Sequence, residues 1–186
     1  SIIMDGQDIT KASIRKRSTS DMSHIPEDRH KYGLVLDYSL EYNMILQTYF
    51  ESRFTDRIGF LRRNNIREYS DKLIDQYDVR SGQGSVTPAR AMSGGNQQKV
   101  ILARWMATEP DVLILDEPTS SLNEEDSRML LDLLLGFKKE GMTSIIISHK
   151  LNEISYVADK ITILRDGSTI ETIDNKNRDI DEARIR

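Results

Sequence analysis

The sequence predicts an α/β layer fold, a mostly parallel sheet flanked by helices, and two patterns predict it. Residues 112–115 and 144–147 are short, unbroken apolar runs, the form taken by strands covered on both faces. Around them, residues 96–107, 124–139 and 151–157 place apolar side chains every three to four positions, which is a helical period. Helices alternating with buried strands are how a chain crosses over between parallel strands.

The remaining elements follow in chain order. Residues 1–4 and 7–10 flank Asp5 and Gly6, a pair suited to a tight hairpin turn, and a short helix is expected over 12–21. From residue 40 to about 79 the period is helical: Tyr42, Ile45, Leu46, Tyr49 and Phe50 lie three and four apart, and Tyr69, Leu73, Ile74 and Tyr77 repeat the pattern. "SGQGSVTP", residues 81–88, reads as a loop, and Asp166 and Gly167 between "KITILR" and "STIETI" read as a closing hairpin. The expected organisation is one domain, with an α/β core of residues 1 to about 38 and 93–186 and an inserted helical subdomain over 39–92. "SIIM" is strand-like from the first residue, so the chain reads as cut rather than begun at Ser1.

Composition narrows the function. The formal net charge is -4 and the basic residues are dispersed, which argues against the dominant basic face of a nucleic-acid binder. Cysteine is absent, so disulfide frameworks and thiolate metal sites are excluded. No apolar run approaches the roughly 20 residues of a membrane span. Membrane association is therefore expected only through a partner.

Three short stretches carry chemistry. "DVLILDEPT", residues 111–119, is an apolar strand that ends in Asp116 and Glu117. Ligands of open α/β sheets sit beyond the carboxyl ends of strands, where one acid can hold a hydrated Mg²⁺ and its neighbour can orient water. One strand later, "SIIISHK" ends in Ser148 and His149, and a histidine there can meet a phosphate oxygen. "AMSGGNQQK" places Ser93, Gly94 and Gly95 at the start of a helix, where backbone N–H groups and the helix dipole favour an anion. Each has a plainer reading: a strand entering a loop, a solvent-facing histidine, an ordinary serine N-cap.

Taken together, the stretches resemble the nucleotide-binding domain of ATP-binding-cassette transporters. "SGGNQQK" resembles the signature loop, "VLILDEP" the Walker B strand, "SSLN" the D-loop, and His149 the switch histidine. The resemblance runs from about Ser1 to Ile173. It implies a P-loop NTPase-like fold in which Ser93, Gly94, Gly95 and Gln97 face the ATP of a second cassette, Asp116 holds Mg²⁺, and Glu117 and His149 are catalytic. "HIPEDRHKYGLVLDYSLEYNM", residues 24–44, and the glutamines after the signature resemble the second cassette of the fused ATPases that import simple sugars and nucleosides. Glu27 stands near the place where other cassettes carry the Q-loop glutamine. From Asp116 onward the chain resembles the first cassette of monosaccharide importers instead. The partners implied are a second cassette, permease subunits that receive the face around residues 38–60, and a solute-binding protein indirectly. The implied location is the cytoplasmic face of the membrane.

One part of the family pattern does not occur. G-x-x-x-x-G-K-[ST], whose amides and lysine cradle the β- and γ-phosphates, is nowhere in the chain, and Gly59, Gly82 and Gly84 are not followed by a Gly-Lys pair. The chain thus resembles the later three-quarters of a cassette, expected to be inactive alone. Two alternatives stay open on the residues: a cassette ATPase outside transport, and a nucleotide-incompetent module that contributes only a signature loop.

Overall fold

The computed structural model describes residues 1–120 and 122–176. Ser121 of the D-loop stretch and the tail of the expected core after residue 176 lie outside the described residues. Strands β1 (Ile3–Met4) and β2 (Gln7–Asp8) pair antiparallel around Asp5 and Gly6, both at positive φ, as the turn pair requires. Helix α1 is shorter than expected, Ile14–Ser18, because Ser13 caps it by accepting from the Lys16 amide at 3.3 Å.

The central sheet has three parallel strands in the order β3 (Met22–Ile25), β4 (Val112–Asp116) and β5 (Thr143–Ile147). Its register aligns Ile25 with Leu115 and Leu115 with Ile146. Strand β3 was not expected from the sequence. It is an edge strand of four residues, too short for its alternation to stand out. Ser23, Ile25, Leu113 and Leu115 are buried on one face of the sheet, whereas Ile145 and Ile147 on the other are 50% and 52% exposed. The mean of the two faces is a sheet covered well on one side only.

Three helices pack near that buried face. They are α4 (Gly94–Met106), α5 (Glu124–Lys139) and the short α6 (Leu151–Val157). Asn123 caps α5 by accepting from the Asp126 amide at 2.7 Å, and Glu124, Glu125 and Asp126 fill the first turn with charge that suits the helix dipole. Val100, Ile101, Leu102 and Ala103 are all fully buried, so α4 is wrapped on every side and shows little amphipathic pattern. Strands β6 (Lys160–Arg165) and β7 (Ser168–Asp174) form the closing hairpin, bulged between Ile163 and Leu164.

The helical stretch over 40–79 is broken in the middle. Helix α2 covers only Leu40–Met44 and α3 covers Arg63–Gln76, with turns between them. Phe54 explains the break, because burying it with Ile45 and Ile66 in a small satellite core needs a chain reversal that a continuous helix cannot make. Asn43, fully buried in α2, ties down the preceding loop. Its Oδ1 accepts from the Val35 amide at 2.9 Å, and its Nδ2 faces the carbonyls of Val35, Tyr38 and Ser39 at 3.0–3.2 Å. Arg104 of α4 then donates through Nη1 to the Asn43 carbonyl at 3.2 Å, and burial pushes its guanidinium down to about 10. The two helical parts of the chain therefore share one polar joint inside a common core.

Candidate functional site

The parallel register decides which residues meet at the carboxyl edge of the sheet. Because Ile25, Leu115 and Ile146 are aligned, the chain leaves β3 toward Glu27, β4 at Asp116 and Glu117, and β5 toward Ser148 and His149, all on one edge. Glu117 sits at φ 43°, a left-handed conformation uncommon for residues other than glycine. Its amide donates to the Ile147 carbonyl at 2.9 Å, which turns the side chain toward β5. There His149 Nδ1 donates to Glu117 Oε1 at 2.9 Å. Glu117 is mostly sheltered, its side chain 17% exposed, while His149 is 74% exposed.

The loop beyond Glu117 is pinned from α6. Thr119 Oγ1 donates to the Glu153 carboxylate, and Lys150 Nζ binds both the Thr119 carbonyl at 2.9 Å and Glu153 Oε1 at 3.2 Å. Among the described residues, no group of three or more His, Asp or Glu is placed to enclose a metal ion. A carboxylate pair is what Mg²⁺ needs from protein, since it keeps several waters and takes phosphate oxygens for the rest. Glu117 Oε2, buried without a hydrogen-bond partner, is an acceptor left for a water or an ion. The residues present fit the cation.

A second cluster forms at the start of α4. Ser93 is the N-cap, and its Oγ accepts from the Asn96 amide at 3.4 Å and from Asn96 Nδ2 at 2.9 Å. Both bonds use oxygen as acceptor, so the hydroxyl proton is left to donate outward. Ser93 is exposed, Gly94 half-buried and Gly95 buried. A Cβ at Gly95 would lie 2.1 Å from Asp126 Oδ2, so α5 comes close here and the Asp126 side chain would have to move to admit any larger residue. Ser93 and Gly94 form the open rim, and Gly95 faces the fold.

Gln97 also turns inward. Its Nε2 donates to the Ala89 carbonyl at 3.0 Å, which orients the amide and leaves Oε1 to accept from His30 Nε2 at 2.8 Å. His30 Nε2 also lies 3.4 Å from Arg29 Nε, so this ring nitrogen sits between a donor and an acceptor. Neighbouring Arg29 lies over the rim, its Nη2 2.8 Å from where a Gly94 Cβ would stand. Further along, Ile101 Cδ1 is 2.7 Å from where a Gly33 Cβ would stand. Residues 29–33, a single π-helical turn capped by Asp28, thus run along α4 and match Arg29 to Gly94, His30 to Gln97 and Gly33 to Ile101. The sequence pointed to Glu27 alone in this segment. Glu27 is exposed, and its neighbours make the contacts to α4. Only the acid at position 28, a ready cap for the turn, hinted at this in the sequence.

A parallel sheet packed by helices, with two acids and a histidine at its strand ends, is consistent with an α/β fold of the P-loop NTPase-like class. The chain belongs to the ABC transporter family, whose profile matches residues 1–120. It is 38% identical over 167 residues to the nucleoside import ATP-binding protein NupA of Lactococcus lactis subsp. cremoris (strain MG1363), covering 90% of this chain and 33% of that protein. It is also 38% identical over 185 residues to the L-arabinose transport ATP-binding protein AraG of Geobacillus stearothermophilus, covering 97% of this chain and 34% of that one. The chain spans about a third of the length of the curated relatives it matches. Among solved structures, a dimeric post-hydrolysis state of the ATP-binding cassette MJ0796 bound to ADP and Pi aligns with TM-score 0.73 at 18% identity, covering 93% of this chain and 72% of that one. At that identity the likeness concerns the fold.

Proposed function

We propose that this chain is the signature-bearing part of an ATP-binding subunit that energises import of a simple sugar or nucleoside. The observation that carries the reading is the arrangement of the α4 N-terminus, where exposed Ser93 and half-buried Gly94 present donors outward. The relatives' names supply the transport setting. In this reading residues 1–38 and 93–186 form the α/β core and 39–92 the helical subdomain. Ser93 and Gly94 donate to the terminal phosphate of ATP held by a second cassette. Gly95 and Gln97 serve that rim from behind, one by admitting α5 and the other by anchoring His30.

The strand-end residues have their own roles when a phosphate loop is supplied. Mg²⁺, when bound, neutralises charge on the phosphates. Asp116 would hold its hydration shell, Glu117 would accept a hydrogen bond from the attacking water, and His149 would keep Glu117 oriented through Nδ1. Glu27, at the same edge, and the face around residues 38–60, where Tyr38 and Tyr49 are exposed, meet the permease subunits on the cytoplasmic side. A solute-binding protein acts only through the permease.

The test mixes the chain with a partner cassette that owns a phosphate loop and follows phosphate release. Ser93→Arg is expected to abolish any stimulation of the partner, since loss of a well-placed donor costs about 2.7–4 kcal/mol of barrier and the new side chain blocks the nucleotide. Glu117→Gln is expected to change little, and the chain alone is expected to bind ATP more weakly than about 100 μM. Equal loss from both substitutions would refute the proposal, because the chain would then be hydrolysing nucleotide itself.

A further inference from the structure

A cavity of about 750 Å³ opens at the amino ends of β4 and β5, the opposite end of the sheet from Asp116, Glu117 and His149. Its volume is in the range of small-ligand sites. Asp111 and Met142 stand just before the two strands, and the Asp111 carbonyl accepts from the Thr143 amide at 3.1 Å, which draws the two entrances together. Residues of α3 and the ends of α4 and α5 complete the wall. The floor is apolar and aromatic, built from Leu73, Tyr77, Met106, Phe137 and Met142.

Three carboxylates, Glu109, Asp111 and Glu140, stand at the rim, all on exposed residues. Among the described residues none of the three is in an ion pair, and Lys72, also at the rim, is already paired with Glu68 at 3.1 Å. Nor do these acids converge into a group that could hold a metal ion. Within the cavity, Tyr77 is only 9% exposed, and among the described residues its hydroxyl has no hydrogen-bond partner. The neighbouring Tyr69 is engaged by Arg53, whose guanidinium lies 4.9 Å over its ring. Burial first, and then the nearby Glu140 carboxylate, push the Tyr77 phenol above its usual range, so it is neutral near pH 7. A neutral phenol oxygen keeps lone pairs free to accept. A polar group buried in this way calls for a partner.

That partner must bring a hydrogen-bond donor, positive charge at more than one point, and an apolar stretch between the charges. A metal ion needs acids that converge, an anion is repelled by all three, and a neutral apolar molecule leaves the phenol unmet. A lysine side chain of another protein carries a single ammonium, whereas the rim offers three separate carboxylates. We propose that this cavity binds an aliphatic polyamine, with its ammonium groups at Glu109, Asp111 and Glu140, its methylenes on the apolar floor, and one N–H donated to the Tyr77 hydroxyl oxygen. Because α3 and α5 both line the cavity, the bound amine ties them together and stabilises the folded chain by mass action. The site lies at the far end of the sheet from the nucleotide chemistry proposed above. Either reading can fail alone.

The test is calorimetric titration of the full chain with spermidine, paired with thermal unfolding. Saturable binding is expected, with a raised unfolding midpoint and with loss of affinity as salt screens the charges. Glu140→Gln and Asp111→Asn should each weaken binding roughly two- to fivefold. Tyr77→Phe should weaken it about fivefold and leave the midpoint of the unliganded chain unchanged, because its hydroxyl has no partner to lose. Glu124→Gln with Glu125→Gln removes two exposed acids at the other end of α5 and should leave binding as it was. Absence of binding at roughly 1 mM spermidine would overturn the proposal, as would unchanged affinity in the rim and Tyr77 variants. Equal loss in the Glu124 and Glu125 control, or displacement by Mg²⁺ beyond that by NaCl at the same ionic strength, would overturn it in favour of diffuse counterions. Binding of an oligolysine peptide but not of spermidine would also overturn it and give the cavity to a protein partner.

Discussion

Glu117 and His149 meet across the carboxyl ends of two neighbouring parallel strands, Oε1 to Nδ1 at 2.9 Å, although 32 positions separate them in the chain. The left-handed backbone at Glu117 and its amide bond to Ile147 make this contact a property of the β4–β5 register. Joined to a family segment that carries the phosphate loop, the chain should hydrolyse ATP. Glu117→Gln should then lower turnover about 10²–10⁴-fold with nucleotide affinity retained, the range expected for a lost general base. His149→Ala should lower it less, since His149 acts through Glu117. Phosphate release and nucleotide titration check both, and unaltered turnover in the Glu117 variant would remove it from the mechanism.

Gly33 and Ile101 lock the Glu27 segment to α4. A Cβ at Gly33 would lie 2.7 Å from Ile101 Cδ1, and Ile101 is fully buried. Gly33→Ala is expected to destabilise the chain by about 1–3 kcal/mol through overpacking. Ile101→Val removes the clashing methyl at a cost of about 0.5–1.5 kcal/mol alone. The double variant should therefore be more stable than the two single losses added together, and urea denaturation of all four chains reads that coupling. Simple additivity would mean that the clash is relieved elsewhere.

Asn43 should be among the least replaceable polar side chains. It is fully buried and satisfies backbone groups of Val35, Tyr38 and Ser39, while its own carbonyl receives Arg104. Asn43→Leu leaves the Val35 amide without a partner while the three carbonyls keep backbone donors, and a loss of about 1–3 kcal/mol is expected from denaturant unfolding. A cost under about 1 kcal/mol would show that the loop finds other partners.

The Asp78–Lys99 pair gives the fold an acid limit. Buried Lys99 donates through Nζ to the Asp78 carbonyl at 2.7 Å and to Oδ2 at 3.1 Å, and this bond holds the Asp78 carboxyl below the usual carboxylate range. A carboxyl lowered on folding contributes stability above its unfolded value and loses it as pH falls through the folded one. The contribution is thus complete near neutrality and disappears below about pH 4. Asp78→Asn should flatten the decline of unfolding free energy in that acid window. An identical slope in both chains would show that other carboxyls set it.

What the sequence determined by itself was local in origin. The periods of α5 and α6, the turn pairs of the two hairpins, and the positions of Asp116, Glu117 and His149 at strand ends all follow from spacing within a single element. Tertiary structure decided the rest, because the deciding partner lies far along the chain. Strand β3 exists through its parallel neighbour β4, and four residues, of which only Ser23 and Ile25 are buried, carry too little pattern to announce it. The helical period over residues 40–79 is interrupted because Phe54 turns back to pack with Ile45 and Ile66. Gln97 reads as a site residue in sequence, and the Ala89 carbonyl and His30 hold its amide inward. Arg29 reaches Gly94 only because the turn capped by Asp28 lies along α4. Periodicity reports which side of an element is apolar, whereas a polar side chain faces inward only where another segment brings it a hydrogen-bond partner.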